Sequence, residues 1–73
     1  PFISAQQGNV SEHLQQLNHK EASVRLYGAY ALGALGDAQA VQPLIEILKD
    51  PDLYVRAATV DALGEIVRLG VLV

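Results

Sequence analysis

The chain has 73 residues, of which 51% are apolar, and carries a net charge of −3 with only five Lys and Arg. That size allows at most one small domain, and the apolar content argues against disorder. The shortage of basic residues excludes a phosphate-binding stripe, so no nucleic-acid partner is expected, and the absence of cysteine excludes a thiolate metal site and fits a reducing, cytoplasmic location.

The first half of the chain is predicted to form two helices, over 10–17 and 21–35. Asn9 is placed to cap the first helix, and Gly36 to stop the second in a left-handed conformation. Residues 1–8 are expected to be a tail or the worn end of a preceding helix. The inward stripes at helical spacing are Val10, Leu14 and Leu17 in the first helix, and Val24, Gly28, Ala31, Leu32 and Leu35 in the second.

The second half predicts two further helices, over 39–48 and 52–69. Pro43 is tolerable only in the first turn of its helix, and Asp52 offers an N-cap for the next one. Gly70 follows as a stop. The predicted stripes are Val41, Leu44, Ile45 and Leu48, then Val55, Thr59, Ala62, Leu63 and Ile66. The apolar run over 66–73 is interrupted by a charge and far below the roughly 20 residues that span a bilayer, so no membrane association is expected.

A spacing of 31 residues relates the two halves. The residues Val24-Arg25 and Ala31-Leu32-Gly33 recur as Val55-Arg56 and Ala62-Leu63-Gly64. A fixed period in this range marks a stack of supersecondary units, each here a pair of helices. Residues 9–73 are therefore predicted to form one repeat domain of all-α fold. The small residues of the repeated motif lie where helices would cross, so we interpret them as packing residues.

These motifs, continued by Leu35-Gly36-Asp37 and Ala40-Val41-Gln42-Pro43-Leu44, resemble the short HEAT-like repeat of the phycobilisome-lyase type. The resemblance implies an α-solenoid fragment of about two repeats, in which first helices form the convex side and second helices line the concave side. It also implies that the Arg after Val pairs with a turn Asp of a neighbouring repeat. The matching positions, a candidate structural ladder, are Arg25, Arg56 and Asp37.

No constellation of catalytic or metal-binding residues is found. One branch of the family is a di-iron hydroxylase with His-Glu ligand pairs directly after Val-Arg, but here Leu26-Tyr27 and Ala57-Ala58 stand at those places. Glu12 and His13 are adjacent and point about 100° apart on a helix, and His19 lies in or near a turn, so both histidines are interpreted as surface residues. We therefore expect no cofactor and no enzymatic activity.

A protein-binding surface is the remaining candidate. In a solenoid, the side chains that lie off the stripes of the second helices face the concave groove, although an ordinary solvated face fits the same pattern equally well. A second apolar surface surrounds Leu26 and Tyr30, beside Tyr27 and Ala29, and requires a cover from a missing helix or another chain. The candidate concave residues are Ser11, Gln15, Gln16, Gln42, Glu46, Ile47 and Lys49.

The predicted function is therefore non-catalytic protein–protein interaction or scaffolding, within a larger solenoid or an oligomer. A homo-oligomer could form through the exposed apolar ends, because terminal repeats need caps. The alternative is that the chain is a subunit or fragment of a bilin lyase or a phycobilisome-degradation factor, which handles a chromophore-bearing protein. That alternative comes from the resemblance alone.

Overall fold

A computed structural model describes residues 10–70 and shows four α-helices. They are α1 (Val10–Gln16), α2 (Ala22–Leu35), α3 (Val41–Ile47) and α4 (Leu53–Arg68), with a 3₁₀ turn at Ala38–Ala40 leading into α3. The part of the chain described contains no strand, and the predicted all-α class is confirmed. The expectations for residues 1–8, for the Asn9 cap and for the last three residues lie outside the described range. No described helix is long and apolar enough to cross a membrane.

The helix ends follow from local sequence signals. The carboxylate of Asp52 accepts hydrogen bonds from the amides of Tyr54 and Val55, at 2.8 and 3.1 Å, and so caps α4. Gly36 has a φ of 66° and its amide donates to the carbonyl of Leu32, which ends α2 as predicted. Pro43 is the third residue of α3, in the first turn, where its missing amide costs no helical hydrogen bond.

The most extensive contact in the fold joins α2 to α4 and depends on the absence of a side chain at Gly33. A Cβ atom built at Gly33 would lie 2.7 Å from the Cα of Ala62, closer than two carbon atoms can approach. The buried core comes from α2, α3, α4, the turn after α1 and the 3₁₀ turn. It consists of Leu17, Ala29, Leu32, Ala40, Leu44, Ala58, Ala62 and Ile66. The interpretation of Gly33 as a packing residue is confirmed.

A second close approach joins α1 to α2. A Cβ atom at Gly28 would lie 2.9 Å from the Cβ of Gln16 and 3.1 Å from the carbonyl oxygen of His13. His13 is buried, which corrects its interpretation as a surface residue. Its place in the repeat is that of Leu44, 31 residues later, which is also fully buried. The helical position therefore carries the side chain inward, and a hydrogen bond to Gln16 satisfies the ring nitrogen.

The predicted stripe of α3 needs correction. Ile45 and Leu48 are 43% and 36% exposed, whereas Ile47, predicted to lie outside the stripe, packs against the core. Nearly every residue from 40 to 48 is apolar, so periodicity fits two overlapping stripes that share Leu44. The equivalents of Ile45 and Leu48 in α1 are Leu14 and Leu17, which line the boundary between α1 and α3. No described repeat lies against α3 in the same way.

Of the apolar surface predicted on α2, one part is buried in the structure and the other is exposed. Ala29 is fully buried against the core and Leu26 is partly buried there, so both belong to the interior. Tyr27 and Tyr30 are 57% and 51% exposed. Ala29 lies about 120° from the centre of the stripe predicted for α2 but only about 60° from Leu32, and the contact with α4 widens the buried face of α2 on that side.

Two glycines that are equivalent in the repeat give a matched test of the α2–α4 contact. Gly33→Ala should lower the free energy of unfolding by about 1–3 kcal/mol, because its Cβ overlaps Ala62. Gly64→Ala should leave it unchanged or raise it by up to about 1 kcal/mol, because no heavy atom of residues 10–70 lies within 4 Å of the added Cβ and Ala favours a helix. Urea denaturation measures both changes. Equal effects of the two substitutions would contradict the packing described.

The core assignment predicts graded losses for apolar truncations. Leu32→Ala should cost about 2–5 kcal/mol of stability, because Leu32 is fully buried. Leu63→Ala should cost about 1–2 kcal/mol, because Leu63 is half-buried beside the core. Ile45→Ala is the exposed control and should cost less than about 0.5 kcal/mol. A loss at Ile45 as large as that at Leu32 would restore the stripe predicted from the sequence.

Candidate binding groove and arginine ladder

A shallow groove runs between α1 and α3 on one side of the fold. It encloses about 430 Å³ and is lined by side chains of both helices and of the turn after α1. The residues that line it are Leu14, Leu17, Asn18, Gln42, Pro43, Glu46 and Ile47. Since α1 and α3 are the second helices of successive helix pairs, this is the side that the solenoid interpretation makes concave.

The groove combines an apolar floor with a small number of polar groups. Leu14, Pro43 and Ile47 supply apolar surface, while Gln42 and Glu46 are exposed at its edge. None of the described residues that line it is basic, and among them the carboxylate of Glu46 is the one formal charge. Such a surface can hold an apolar side chain and pair a cation or an amide at its margin.

The structure brings three of the seven candidate concave residues into the groove, namely Gln42, Glu46 and Ile47. Ser11, Gln15 and Lys49 are exposed but do not line it. Gln16 turns the other way: its Oε1 accepts a 2.8 Å hydrogen bond from His13 Nδ1, and its Cβ packs beneath Gly28. Its equivalent in the next repeat, Ile47, packs against the core and also lines the groove.

Sequence reasoning identified Ile47 in the floor of the groove but missed the other apolar residues of the lining. Leu14 and Leu17 were assigned to the core stripe, and Pro43 was considered only as a helix-start residue. The 31-residue spacing could have identified Leu14 and Leu17, because it relates them to Ile45 and Leu48. The first pair lies beside another described repeat, whereas the second pair does not. Apolar residues at these positions can therefore pack against the core and also line the boundary between two repeats.

An ion pair holds the two repeats together at their turns. Arg25 Nε donates to Asp50 Oδ2 at 2.7 Å and Arg25 Nη2 donates to Asp50 Oδ1 at 3.1 Å, a bidentate arrangement. The two side chains are only 14% and 4% exposed. Arg25 Nη1 also donates to the carbonyls of His19 and Lys20, at 2.8 and 3.0 Å. One guanidinium therefore ties the turn before α2 to the turn before α4.

The second arginine of the ladder repeats half of this pattern. Arg56 Nη1 donates to the carbonyls of Asp50 and Pro51, at 2.8 and 3.2 Å, as Arg25 does to the equivalent carbonyls 31 residues earlier. Asp37 takes no part among the described contacts, because its carboxylate accepts from the amide of Gln39 and starts the 3₁₀ turn. The acidic partner in the ladder is Asp50 instead.

The turns before α2 and α4 share one geometry with different side chains. Asp50 Oδ1 accepts from the amide of Asp52 at 2.9 Å, and His19 Nδ1 accepts from the amide of Glu21 at 3.0 Å. His19 and Asp50 are equivalent positions in the 31-residue period. A ring nitrogen can close the turn as a carboxylate does, but it brings no negative charge for an arginine.

The ion pair shifts the pKa values of both of its members. The hydrogen bonds from Arg25 hold the pKa of Asp50 below its ordinary value, assisted by the amide of Asp52 and opposed by burial of the carboxyl. The same pairing raises the pKa of Arg25. On the surface of α4, the pKa of Glu65 is lowered by its hydrogen bond with Arg68, which is well exposed.

The described residues contain no cluster of three or more metal-ligating side chains. His13 is buried against Gln16 and the edge of the Tyr27 ring, with ring centroids 5.7 Å apart. His19 closes a turn. The chemistry that these residues support is packing and hydrogen bonding.

The ion pair predicts a specific dependence of stability on pH. Because the pKa of Asp50 is lower in the folded chain than in the unfolded one, the pair contributes fully above about pH 4 and its contribution is lost as the pH falls through the folded value. Urea denaturation between pH 2 and 7 should therefore show a steeper acid-side loss for the wild type than for Asp50→Asn. Glu65→Gln is the control and should change this slope little, because its pair is exposed and screened. Parallel curves for the wild type and Asp50→Asn would show that the pair adds no stability.

Two comparisons with known proteins agree with this geometry. A family model described as HEAT repeats matches residues 10–70. Over 40 residues the chain is 52% identical to the phycocyanobilin lyase subunit alpha of Picosynechococcus sp., and the match covers 55% of this chain and 15% of that subunit. The chain thus corresponds to a minor part of this relative's length, and the resemblance to HEAT-like repeats of the phycobilisome-lyase type is confirmed. The chain belongs to the HEAT repeat family, as an α-solenoid fragment of about two repeats.

Proposed function

We propose that the chain is a non-catalytic protein-binding module that holds a segment of a partner protein in the groove between α1 and α3. The groove itself is the observation that supports this proposal, since it joins an apolar floor of Leu14, Pro43 and Ile47 to exposed amide and carboxylate groups. Helical repeats of this kind present their concave side as a continuous surface for extended or helical partners.

The charge of the groove determines the partner chemistry that we propose. Glu46 is exposed on α3, and no basic side chain of residues 10–70 lines the groove. A partner helix with apolar side chains one turn apart and a Lys or Arg beside them would fill the floor and pair with Glu46. An acidic partner would place its carboxylate against that of Glu46, and the two negative charges would repel each other.

The similarity to a phycocyanobilin lyase subunit supports a second candidate function, in which the chain is part of a protein that handles a chromophore-bearing protein. We propose that in this case the chain contacts the protein rather than the bilin. A bilin carries carboxylate side chains that require cationic partners, and the lining of the groove supplies Glu46 and neutral groups instead.

The proposed function is tested with synthetic helical peptides as probes. Each peptide carries two leucines one turn apart and either Lys or Glu at the flanking position, and fluorescence anisotropy measures its dissociation constant. The Lys peptide should bind about three- to tenfold more tightly than the Glu peptide at low salt, because Glu46 attracts one and repels the other. Glu46→Lys should reverse the order.

Asp61→Lys is the matched control, since Asp61 is an exposed carboxylate on α4 that does not line the groove, and it should leave the preference unchanged. Failure of Glu46→Lys to alter the preference would contradict the proposal. Titration with phycocyanobilin separates the second candidate: a shifted absorbance that follows the chain concentration would show that this part of the protein binds the chromophore directly.

A further inference from the structure

A small recess lies between α2 and α4, apart from the groove between α1 and α3. It encloses about 240 Å³ and has no described lining residue in common with the groove. The residues that line it are Tyr30, Gly33, Ala34, Asp61, Ala62 and Glu65. Sites for cofactors and other small molecules enclose about 300–1,000 Å³, so this recess has room for a single side chain.

The close contact of α2 with α4 forms the floor of the recess. Gly33 has no side chain there, and a Cβ at this position would lie 2.7 Å from the Cα of Ala62. Ala34 and Ala62 add only methyl groups to the lining. Because these residues are small, the larger side chains lie at the sides of the recess and leave the space between them open.

The two walls of the recess differ in chemistry. Tyr30 on α2 and Asp61 on α4 are equivalent positions of the 31-residue period, and so are Ala34 and Glu65. An aromatic ring therefore lies on the α2 side, and two carboxylates one helical turn apart lie on the α4 side. Tyr30 is 51% exposed although α4 packs beside it, so a ligand can reach its ring.

The polar groups of Tyr30 and Asp61 have no partner in the part of the chain that the structure describes. Within residues 10–70, neither the hydroxyl of Tyr30 nor the carboxylate of Asp61 takes part in a hydrogen bond or an ion pair. Glu65, by contrast, is paired with Arg68 on the exposed surface of α4. The charge of Glu65 is thus partly offset, and Asp61 supplies the carboxylate that is available to a ligand.

We propose that this recess binds an arginine side chain of a partner protein, with the guanidinium stacked on the ring of Tyr30 and paired with the carboxylate of Asp61. A guanidinium is planar, so it can stack on an aromatic face and also pair with a carboxylate through two parallel hydrogen bonds. A lysine ammonium is a compact, strongly hydrated charge that lacks this geometry. The net charge of −3 attracts such a cationic partner at longer range.

This proposal goes beyond the function proposed for the groove and does not depend on it. The groove is formed by α1, α3 and the turn after α1, whereas the recess is formed by α2 and α4. The recess selects a guanidinium, so the lysine-bearing helical peptides are not its ligands. Asp61→Lys therefore stays a control for the charge preference at Glu46, while it should abolish arginine binding in the recess.

The test uses three small probes that differ only in the head group of one side chain. They are the N-acetyl, N-methylamide derivatives of arginine, lysine and citrulline, and citrulline keeps the shape of arginine without its charge. Each probe is titrated into the ¹⁵N-labelled chain at low salt, and the amide shifts in NMR spectra give its dissociation constant. The arginine probe should bind about threefold more tightly than the lysine probe and about tenfold more tightly than the citrulline probe. The largest shifts should belong to residues that line the recess.

Substitutions in the two walls separate the contributions. Tyr30→Leu should make the affinities for the arginine and lysine probes about equal, because leucine has no aromatic face. Asp61→Asn should weaken the binding of both cationic probes about threefold, whereas Arg68→Gln should strengthen it about twofold by releasing the carboxylate of Glu65. Tyr54→Leu is the matched control and should change nothing, since Tyr54 is 70% exposed on α4 and does not line the recess.

Three results would overturn the proposal. Equal affinity of the wild-type chain for the arginine and lysine probes would identify a general attraction of cations. Shifts centred outside the recess, or titrations that do not saturate, would show that the recess is not the binding site. An unchanged preference for arginine in a folded Tyr30→Leu chain, as judged by circular dichroism, would remove the stacking contact. The first two results come from the wild-type chain, so they decide the matter even where a variant does not fold.

Discussion

The arrangement of the repeats depends on a single guanidinium group. Arg25 donates to two carbonyls of the turn before α2 and to both carboxylate oxygens of Asp50 in the turn before α4. Because the guanidinium is planar and its donors are fixed in direction, it sets the distance and the rotation between these turns. The helices that follow the turns, α2 and α4, are thereby brought into the register in which Gly33 lies on Ala62. Because desolvation offsets much of the attraction within a nearly buried ion pair, we infer that the Arg25–Asp50 pair acts mainly by selecting this register.

Local signals predicted the helix ends well, while the orientation of α3 required tertiary information. Asp52 and Gly36 act within a few residues of the chain, so their roles can be inferred without knowledge of the fold. The face of α3 is set by what lies on each side of it. Its sequence is apolar almost all round, and only the positions of α1 and α4 determine that Ile47 turns inward while Ile45 remains exposed.

Only part of the candidate site was predicted, because the directions of several of its side chains also depend on neighbouring helices. Gln42 and Glu46 are polar residues on α3 and lie outside each of the apolar stripes that could face the core. Both line the groove. Gln16 was misplaced because a glycine on another helix, Gly28, opens a space beside it. His13 was misplaced because a polar side chain occupies a core position of the repeat and finds its hydrogen bond within its own helix. The space beside Gln16 and the hydrogen bond of His13 cannot be inferred from the residue spacing of α1 alone.

The positions at which the two repeats differ carry as much information as those at which they agree. Even a shared position can have different surroundings: a Cβ at Gly33 would collide with Ala62, whereas at Gly64 no heavy atom of the described residues lies within 4 Å. The differing positions explain the different contacts of the two turns: Asp50 gives Arg25 a carboxylate partner, whereas its equivalent His19 closes its own turn with a ring nitrogen that carries no negative charge.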